Sequence, residues 1–70
     1  MSFVPGDHIT PREKEIIHWM AEGKTASEIG IILSISEHTV SRHVWSARLK
    51  LNAVNSIQLA AKAVREGIIQ

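Results

Sequence analysis

The sequence contains no cysteine and no tyrosine, and besides histidine its only aromatic residues are two tryptophans and one phenylalanine. Without cysteine, neither a disulfide framework nor a thiolate metal site can stabilise the chain, so stability must come from packed helices or from association. The longest apolar run, counting glycine, is IGIIL at residues 29–33, far shorter than the roughly 20 residues that span a bilayer. The charged-then-apolar start of a signal peptide is also missing. We therefore expect a soluble, cytoplasmic protein that does not enter membranes.

The 70 residues, 44% of them hydrophobic, leave room for one small globular domain. The formal net charge is only +1, but it is unevenly divided along the chain. Up to Glu37 there are three basic and six acidic residues, a balance of −3, and after Glu37 there are five basic residues and one acidic residue, a balance of +4. This asymmetry fits either a C-terminal half that faces a polyanion or an unevenly charged solvated surface.

Local signals mark the starts of four helices. The segments TPRE at residues 10–13 and TASE at residues 25–28 each place a hydroxyl N-cap three residues before a glutamate, the pattern of a capping box. Ser36 and Asn55 can cap two further helices, and Asn52 can take the left-handed conformation that often ends a helix. The helices that these signals predict cover residues 11–22, 26–33, 37–51 and 56–66.

Together these helices predict one all-α domain over residues 10–70, a four-helix bundle of the tetrahelical helix-turn-helix type. Residues 1–9 show no periodicity and are predicted to be a tail or the remnant of a linker. Ile35 should pack from the turn into the core, and Ile68 and Ile69 form an apolar tail. The predicted apolar stripes of the first two helices are Ile16, Ile17, Trp19 and Met20, and Ile29, Ile32 and Leu33.

The third predicted helix has two distinct faces on a wheel of about 100° per residue. The residues predicted to be buried on one side are Val40, Val44, Ala47 and Leu51. The residues on the opposite side are His38, Ser41, Arg42, Trp45 and Leu49. A helix that exposes hydrogen-bond donors and follows its predecessor after a three-residue turn is typical of a helix-turn-helix unit, which reads the major groove of DNA.

The outward side chains predict base recognition. The Arg42 guanidinium can pair two donors with O6 and N7 of guanine, and Ser41 and His38 offer further polar contacts in the same groove. The plain alternative for Arg42 is a solvated surface charge. Trp45 either covers a thymine methyl group or the sugar wall, or folds back onto Arg48, or packs against a partner.

Other functions find less support in the sequence. His38 and His43 lie about 140° apart on the helix and no cysteine or carboxylate cluster joins them, so we expect no metal site. His43 is either a half-buried packing residue or a phosphate contact. No nucleophile with a base and an orienting carboxylate is evident, and we expect neither an enzyme nor a cofactor. The remaining alternative is a protein-interaction module in which Trp45 and Leu49 form an apolar hot spot.

The sequence resembles the LuxR-type helix-turn-helix domain, the C-terminal DNA-binding module of bacterial quorum-sensing regulators and of one class of response regulators. The segments that carry the resemblance are ITPREKEIIHWMAEGKTASEIG, ISEHTVSRHV, KLNAV and AVREGII. The resemblance implies binding of double-stranded DNA, usually as a homodimer on an inverted repeat in a promoter, with transcription altered through RNA polymerase. A small-molecule ligand such as an acyl-homoserine lactone would bind only a domain absent from this chain, so we expect an excised fragment rather than a freestanding regulator. A response-regulator output domain is the alternative within the family.

The resemblance also implies roles for particular residues. The base-reading positions are His38, Ser41, Arg42 and Trp45. Phosphate contacts are implied at Lys24, Thr25, Ser36, Thr39, His43, Arg48 and Lys50. A dimer interface on the fourth helix is implied at Leu59, Lys62, Ala63 and Glu66. The alternative is that the abundant apolar residues of this helix only cover the domain's own core. Ser41 and Trp45 stand where relatives often carry lysine or arginine, so the base preference of relatives cannot be transferred.

Overall fold

Four α-helices and no strand occur in residues 9–70, the part of the chain that this computed structural model describes. They are α1 (Pro11–Ala21), α2 (Ala26–Leu33), α3 (Glu37–Leu51) and α4 (Ser56–Arg65). The predicted all-α class and the four predicted helices are confirmed. Helices α1 and α4 end one residue earlier than predicted because Glu22 and Glu66 are C-caps. No helix in the described part of the chain is long and apolar enough to cross a membrane.

Side chains at the helix starts form the predicted hydrogen bonds. At α1 the Thr10 N–H donates to Glu13 Oε1 over 2.9 Å, and the Glu13 N–H donates to Thr10 Oγ1 over 3.1 Å. Thr25 and Glu28 form the same pair at α2, over 2.8 and 3.1 Å. The hydrogen bonds from Thr25 hold the pKa of the Glu28 carboxyl below its ordinary value. The N-caps of α3 and α4 are, as predicted, Ser36 and Asn55.

The core lies on two sides of α1. Ile17 packs against the inner faces of α3 and α4, and Ile16 packs against α2 and α3. Ile32 was predicted to join this core, but it is 42% exposed because Ile29 and Leu33, one turn apart, occupy the inner side of α2. The largest fully buried side chains are Ile16, Ile17, Ile29, Val40 and Leu59.

Segments on either side of the four helices also pack into the core. Ile9, predicted to lie in the tail, is 9% exposed and belongs to the core cluster. Residues 1–8 of the predicted tail lie outside the described residues. The apolar tail predicted at Ile68 and Ile69 is likewise part of the core, because the chain turns back after Gly67 and Ile69 is only 6% exposed.

The turn between α2 and α3 is tightly packed. A Cβ atom at Gly30 would lie 2.7 Å from the carbonyl oxygen of Ile35, and the Ile35 N–H donates to the Gly30 carbonyl over 2.9 Å. Ser34 ends α2 in the left-handed conformation, with φ 58°, and Asn52 ends α3 in the same way, as predicted. Ile35 packs against the core, also as predicted. These contacts fix the direction in which α3 leaves α2.

Candidate nucleic-acid interface

The outer face of α3 is exposed, and its composition changes along the helix. The exposed residues are those that the wheel predicts: His38, Ser41, Arg42, Trp45 and Leu49. The opposite stripe is buried at Val40, Ala47 and Leu51 and half-buried at Val44. The outer stripe is polar in its first turns and apolar in its last, where Trp45 and Leu49 are each 62% exposed. The predicted orientation of α3 is therefore confirmed.

Two open grooves run along the sides of α3. The first, of about 620 Å³, lies beside the starts of α2 and α4 and is called here the α2–α4 groove; its lining includes Lys24, Thr25, Ser41, Trp45, Ser56 and Ile57. The second, of about 460 Å³, lies beside the start of α1 and is called the α1 groove; its lining includes Thr10, Glu13, Thr39, Arg42, His43, Ser46 and Lys50. The candidate phosphate contacts therefore divide between the two sides of the exposed face.

Three of the candidate phosphate contacts are hydroxyls at helix starts. The Thr25 hydroxyl caps α2 by accepting a hydrogen bond from the Glu28 N–H. Ser36 accepts a hydrogen bond from the Thr39 N–H over 3.0 Å, and its Oγ lies 2.8 Å from Thr39 Oγ1. Helix starts carry unpaired amide groups and the positive end of the helix dipole, so these positions suit an anion such as a phosphate.

The Lys50 ammonium is engaged inside the domain. It donates to Glu13 Oε1 over 2.8 Å and to Oε2 over 3.0 Å, and the Glu13 side chain is only 3% exposed. Burial acts to raise the pKa of Glu13, but hydrogen bonds from Lys50, the Thr10 N–H and Ser46, with the Lys50 charge, hold that pKa below its ordinary value of 4.5. The charged carboxylate thus balances the Lys50 charge, and a phosphate at Lys50 would have to compete with Glu13 for this cation.

Arg48 and Lys62 also turn towards their own chain. Arg48 Nη2 donates to the Val54 carbonyl over 2.6 Å, and its Nε donates to the Ala53 carbonyl over 3.5 Å. Lys62 Nζ donates to two carbonyls at the end of α3 over 2.9 and 3.2 Å. Both cations therefore hold the loop between α3 and α4, and the phosphate role predicted for Arg48 and the dimer role predicted for Lys62 stay predictions. The alternative in which Trp45 stacks on Arg48 loses support for the same reason.

The surface of α4 differs from the one predicted. Leu59 and Ala63 cannot be dimer contacts, because both side chains are fully buried in the domain's own core. Glu66 is exposed at the end of the helix. The apolar face that α4 does expose consists of Ile57, Ala61 and Val64, spaced four and three residues apart, with Ile57 82% and Val64 51% exposed.

Two important residues escaped sequence reasoning. The sequence identifies Glu13 only as part of a capping box, because nothing local links it to Lys50, 37 residues further on. The sequence pattern gives no role to Gly30, although a glycine inside a helix costs about 1 kcal/mol relative to alanine and can therefore mark a packing requirement.

A four-helix fold in which a three-residue turn joins α2 to α3, and in which the outer face of α3 stays exposed, defines a helix-turn-helix DNA-binding domain. Residues 7–63 match the GerE family, described as bacterial regulatory proteins of the luxR family. The chain belongs to this family.

Several relatives are regulatory proteins of greater length. The transcriptional activator protein SolR of Ralstonia solanacearum is 52% identical over 61 residues, which cover 87% of this chain and 26% of SolR. The regulatory protein SdiA of Escherichia coli K12 is 49% identical over 65 residues, or 93% of this chain and 27% of SdiA. The HTH-type quorum sensing-dependent transcriptional regulator RpaR of Rhodopseudomonas palustris is 48% identical over 64 residues, or 91% of this chain and 26% of RpaR. The chain thus spans about a quarter of the length of these relatives.

The fold is also similar to a solved structure. The crystal structure of E. coli SdiA in space group P6522 superposes with a TM-score of 0.87 and 47% sequence identity. The similarity covers 97% of this chain and 29% of the SdiA chain.

Proposed function

We propose that this domain binds a promoter with α3 in the major groove, as the DNA-reading part of a quorum sensing-dependent transcription regulator. The observation that carries the proposal is the exposed outer face of α3, which has hydrogen-bond donors in its first turns and a groove on each side. A recognition helix reads bases with its N-terminal part, and grooves beside it leave room for the two sugar-phosphate backbones. The names of the relatives SolR and RpaR support the regulatory role.

Base reading is assigned to His38, Ser41, Arg42 and Trp45. Arg42 carries most of the specificity, because a guanidinium that donates to both O6 and N7 of guanine discriminates by about 1–3 kcal/mol. Ser41 and His38, one turn or less from Arg42, donate to or accept from neighbouring bases. All four side chains are exposed, so they can reach bases without a rearrangement of the core.

Phosphate contacts are assigned to both sides of α3. Lys24 and Thr25 lie at the start of α2 and line the α2–α4 groove, where the lysine charge and the helix dipole act together on a phosphate. Thr39 and His43 line the α1 groove on the other side. Each side of α3 therefore has groups that can hold one backbone strand.

The domain is proposed to bind as a homodimer through the face of α4 formed by Ile57, Ala61 and Val64. This face is apolar and exposed, and the small Ala61 at its centre allows two copies of the helix to approach closely. Two-fold symmetry would place the two α3 helices on successive turns of an inverted repeat, about 34 Å apart. Transcription would then change through contact with RNA polymerase.

Selection from a random duplex pool at near-physiological salt, followed by sequencing of the bound fraction, tests this function. The expected result is a two-fold motif with half-sites about one helical turn apart and a guanine at the Arg42 position. Enrichment of a single half-site would support sequence-specific DNA binding and contradict binding as a homodimer. An unenriched pool would contradict sequence-specific binding by this domain and favour a protein partner for Trp45 and Leu49.

A further inference from the structure

Trp45 is an unusual side chain for a surface that meets DNA. It is 62% exposed on the outer stripe of α3, three residues after Arg42, and it also lines the α2–α4 groove. Its neighbour Arg48 is held by the loop carbonyls of Ala53 and Val54. The Trp45 indole is therefore exposed on the outer face of α3, which would enter the major groove in the proposed complex.

We propose that Trp45 reads the C5-methyl group of a thymine, an inference that rests on the function proposed above. The edges of bases in the major groove present donors, acceptors and one apolar group, the thymine methyl. An indole placed over the edge of a C·G or G·C pair would remove water from polar atoms and return at most one hydrogen bond. Over a thymine methyl the same indole buries apolar surface on both sides.

The spacing on α3 also gives the position of this thymine. Three residues of an α-helix rise about 4.5 Å, and successive base pairs are separated by about 3.4 Å. The thymine therefore lies one or two base pairs from the guanine read by Arg42. A 5-methylcytosine at this position presents the same methyl group to Trp45. Its hydrogen-bonding edge differs from that of thymine, because it carries an amino donor in place of the O4 acceptor.

The test replaces each thymine of the best-bound duplex from the pool, in turn, by deoxyuridine, which lacks the methyl group and keeps the base pairing. Dissociation constants are measured by fluorescence anisotropy for the wild type, Trp45→Ala and Leu49→Ala. Leu49 is the matched control, because it is equally exposed on the same stripe and lies one turn further from the start of the helix. Thermal unfolding of each variant checks that the fold is retained.

One thymine in each half-site should be sensitive in the wild type, with binding about three- to fivefold weaker after deoxyuridine replacement, the effect of one buried methyl group. Trp45→Ala should lose this sensitivity and Leu49→Ala should keep it. Replacing the T·A pair by C·G should weaken wild-type binding more than replacing it by 5-methylcytosine·G. The proposal is overturned by equal deoxyuridine effects in the wild type and Trp45→Ala, or by a motif without thymine near the guanine. Failure of DNA reading itself would already appear as an unenriched pool.

Discussion

Lys50, near the end of α3, donates hydrogen bonds to both carboxylate oxygens of Glu13, in the first turn of α1. The two side chains are 28% and 3% exposed, so this is a largely buried ion pair between residues 37 positions apart in the chain. Thr10 and Ser46 also donate hydrogen bonds to the Glu13 carboxylate, so its oxygens have further partners besides Lys50. It fixes the end of α3 against the start of α1.

Lys50→Met is expected to lower the free energy of unfolding by about 3 kcal/mol, because the buried carboxylate of Glu13 would lose its counter-charge. Lys14→Met makes the same chemical change at an exposed position of α1 and should alter the free energy by less than about 0.5 kcal/mol. Urea unfolding followed by circular dichroism measures both variants. Equal effects of the two substitutions would show that Lys50 is not a structural cation.

Acid should destabilise the domain partly through Glu13. Its pKa in the folded state lies below the ordinary value of 4.5, so the carboxylate stabilises the fold above that pH and loses this effect as the pH falls below it. The gap in the free energy of unfolding between the wild type and Glu13→Gln should therefore be constant near neutral pH and shrink below pH 4.5. Urea titrations over this range measure the gap. A gap that does not change with pH would contradict the assignment.

Arg42→Ala and Lys24→Ala should weaken DNA binding in different ways. Loss of Arg42 should remove about 1–3 kcal/mol of preference for its guanine, whereas loss of Lys24 should weaken selected and scrambled duplexes alike and reduce the slope of log K against log salt by about 1. Binding of both duplexes across a salt series separates the two effects. Equal losses of preference in the two variants would contradict this division between base and phosphate contacts.

Gly30→Ala should destabilise the domain by about 1–3 kcal/mol, the usual effect of overpacking. The new Cβ would lie 2.7 Å from the Ile35 carbonyl oxygen, and this clash outweighs the gain of at most about 1 kcal/mol in helix propensity. Ser27→Ala, on the exposed side of the same helix, is the control and should stay within about 0.5 kcal/mol. Chemical denaturation measures whether each substitution raises or lowers the free energy of unfolding. A stabilised Gly30→Ala variant would show that the turn between α2 and α3 can move.

Val64→Asp and Leu59→Ala should separate association from stability on α4. Val64 is 51% exposed and Leu59 is fully buried, so Val64→Asp should leave the fold intact and reduce binding of an inverted repeat to that of a single half-site. Leu59→Ala should lower the free energy of unfolding by about 2–5 kcal/mol. Sedimentation and anisotropy with one-site and two-site duplexes measure the first effect. Cooperative binding of the two-site duplex by the Val64→Asp variant would show that the dimer interface does not depend on Val64.

Features set by neighbouring residues were predictable from the sequence. The capping boxes at Thr10 and Thr25 depend on side chains three residues apart, so they mark the starts of α1 and α2 without knowledge of the fold. The two faces of α3 follow from its periodicity, and the exposed positions of Arg42 and Trp45 agree with it. These predictions need no information about which helices meet.

Features that depend on packing between helices were not predictable. In the sequence Lys50 and Lys62 look like any basic residue near a predicted recognition helix, and their partners become neighbours only when α1, α3 and α4 assemble. The same limit explains the error on α4. Its apolar residues lie on two sides, and periodicity does not say that the side with Leu59 is buried and the side with Val64 is exposed.

The inward direction of Arg48, Lys50 and Lys62 bears on how a regulator searches a genome. These are three of the five basic residues that follow Glu37, and each donates to an oxygen of its own chain. Attraction to random DNA depends on cations that face phosphates, and about 10⁶–10⁹ such sites compete with each promoter. If the domain binds a promoter as proposed, fewer outward cations would weaken its attraction to random DNA and leave more of its selectivity to the outer face of α3.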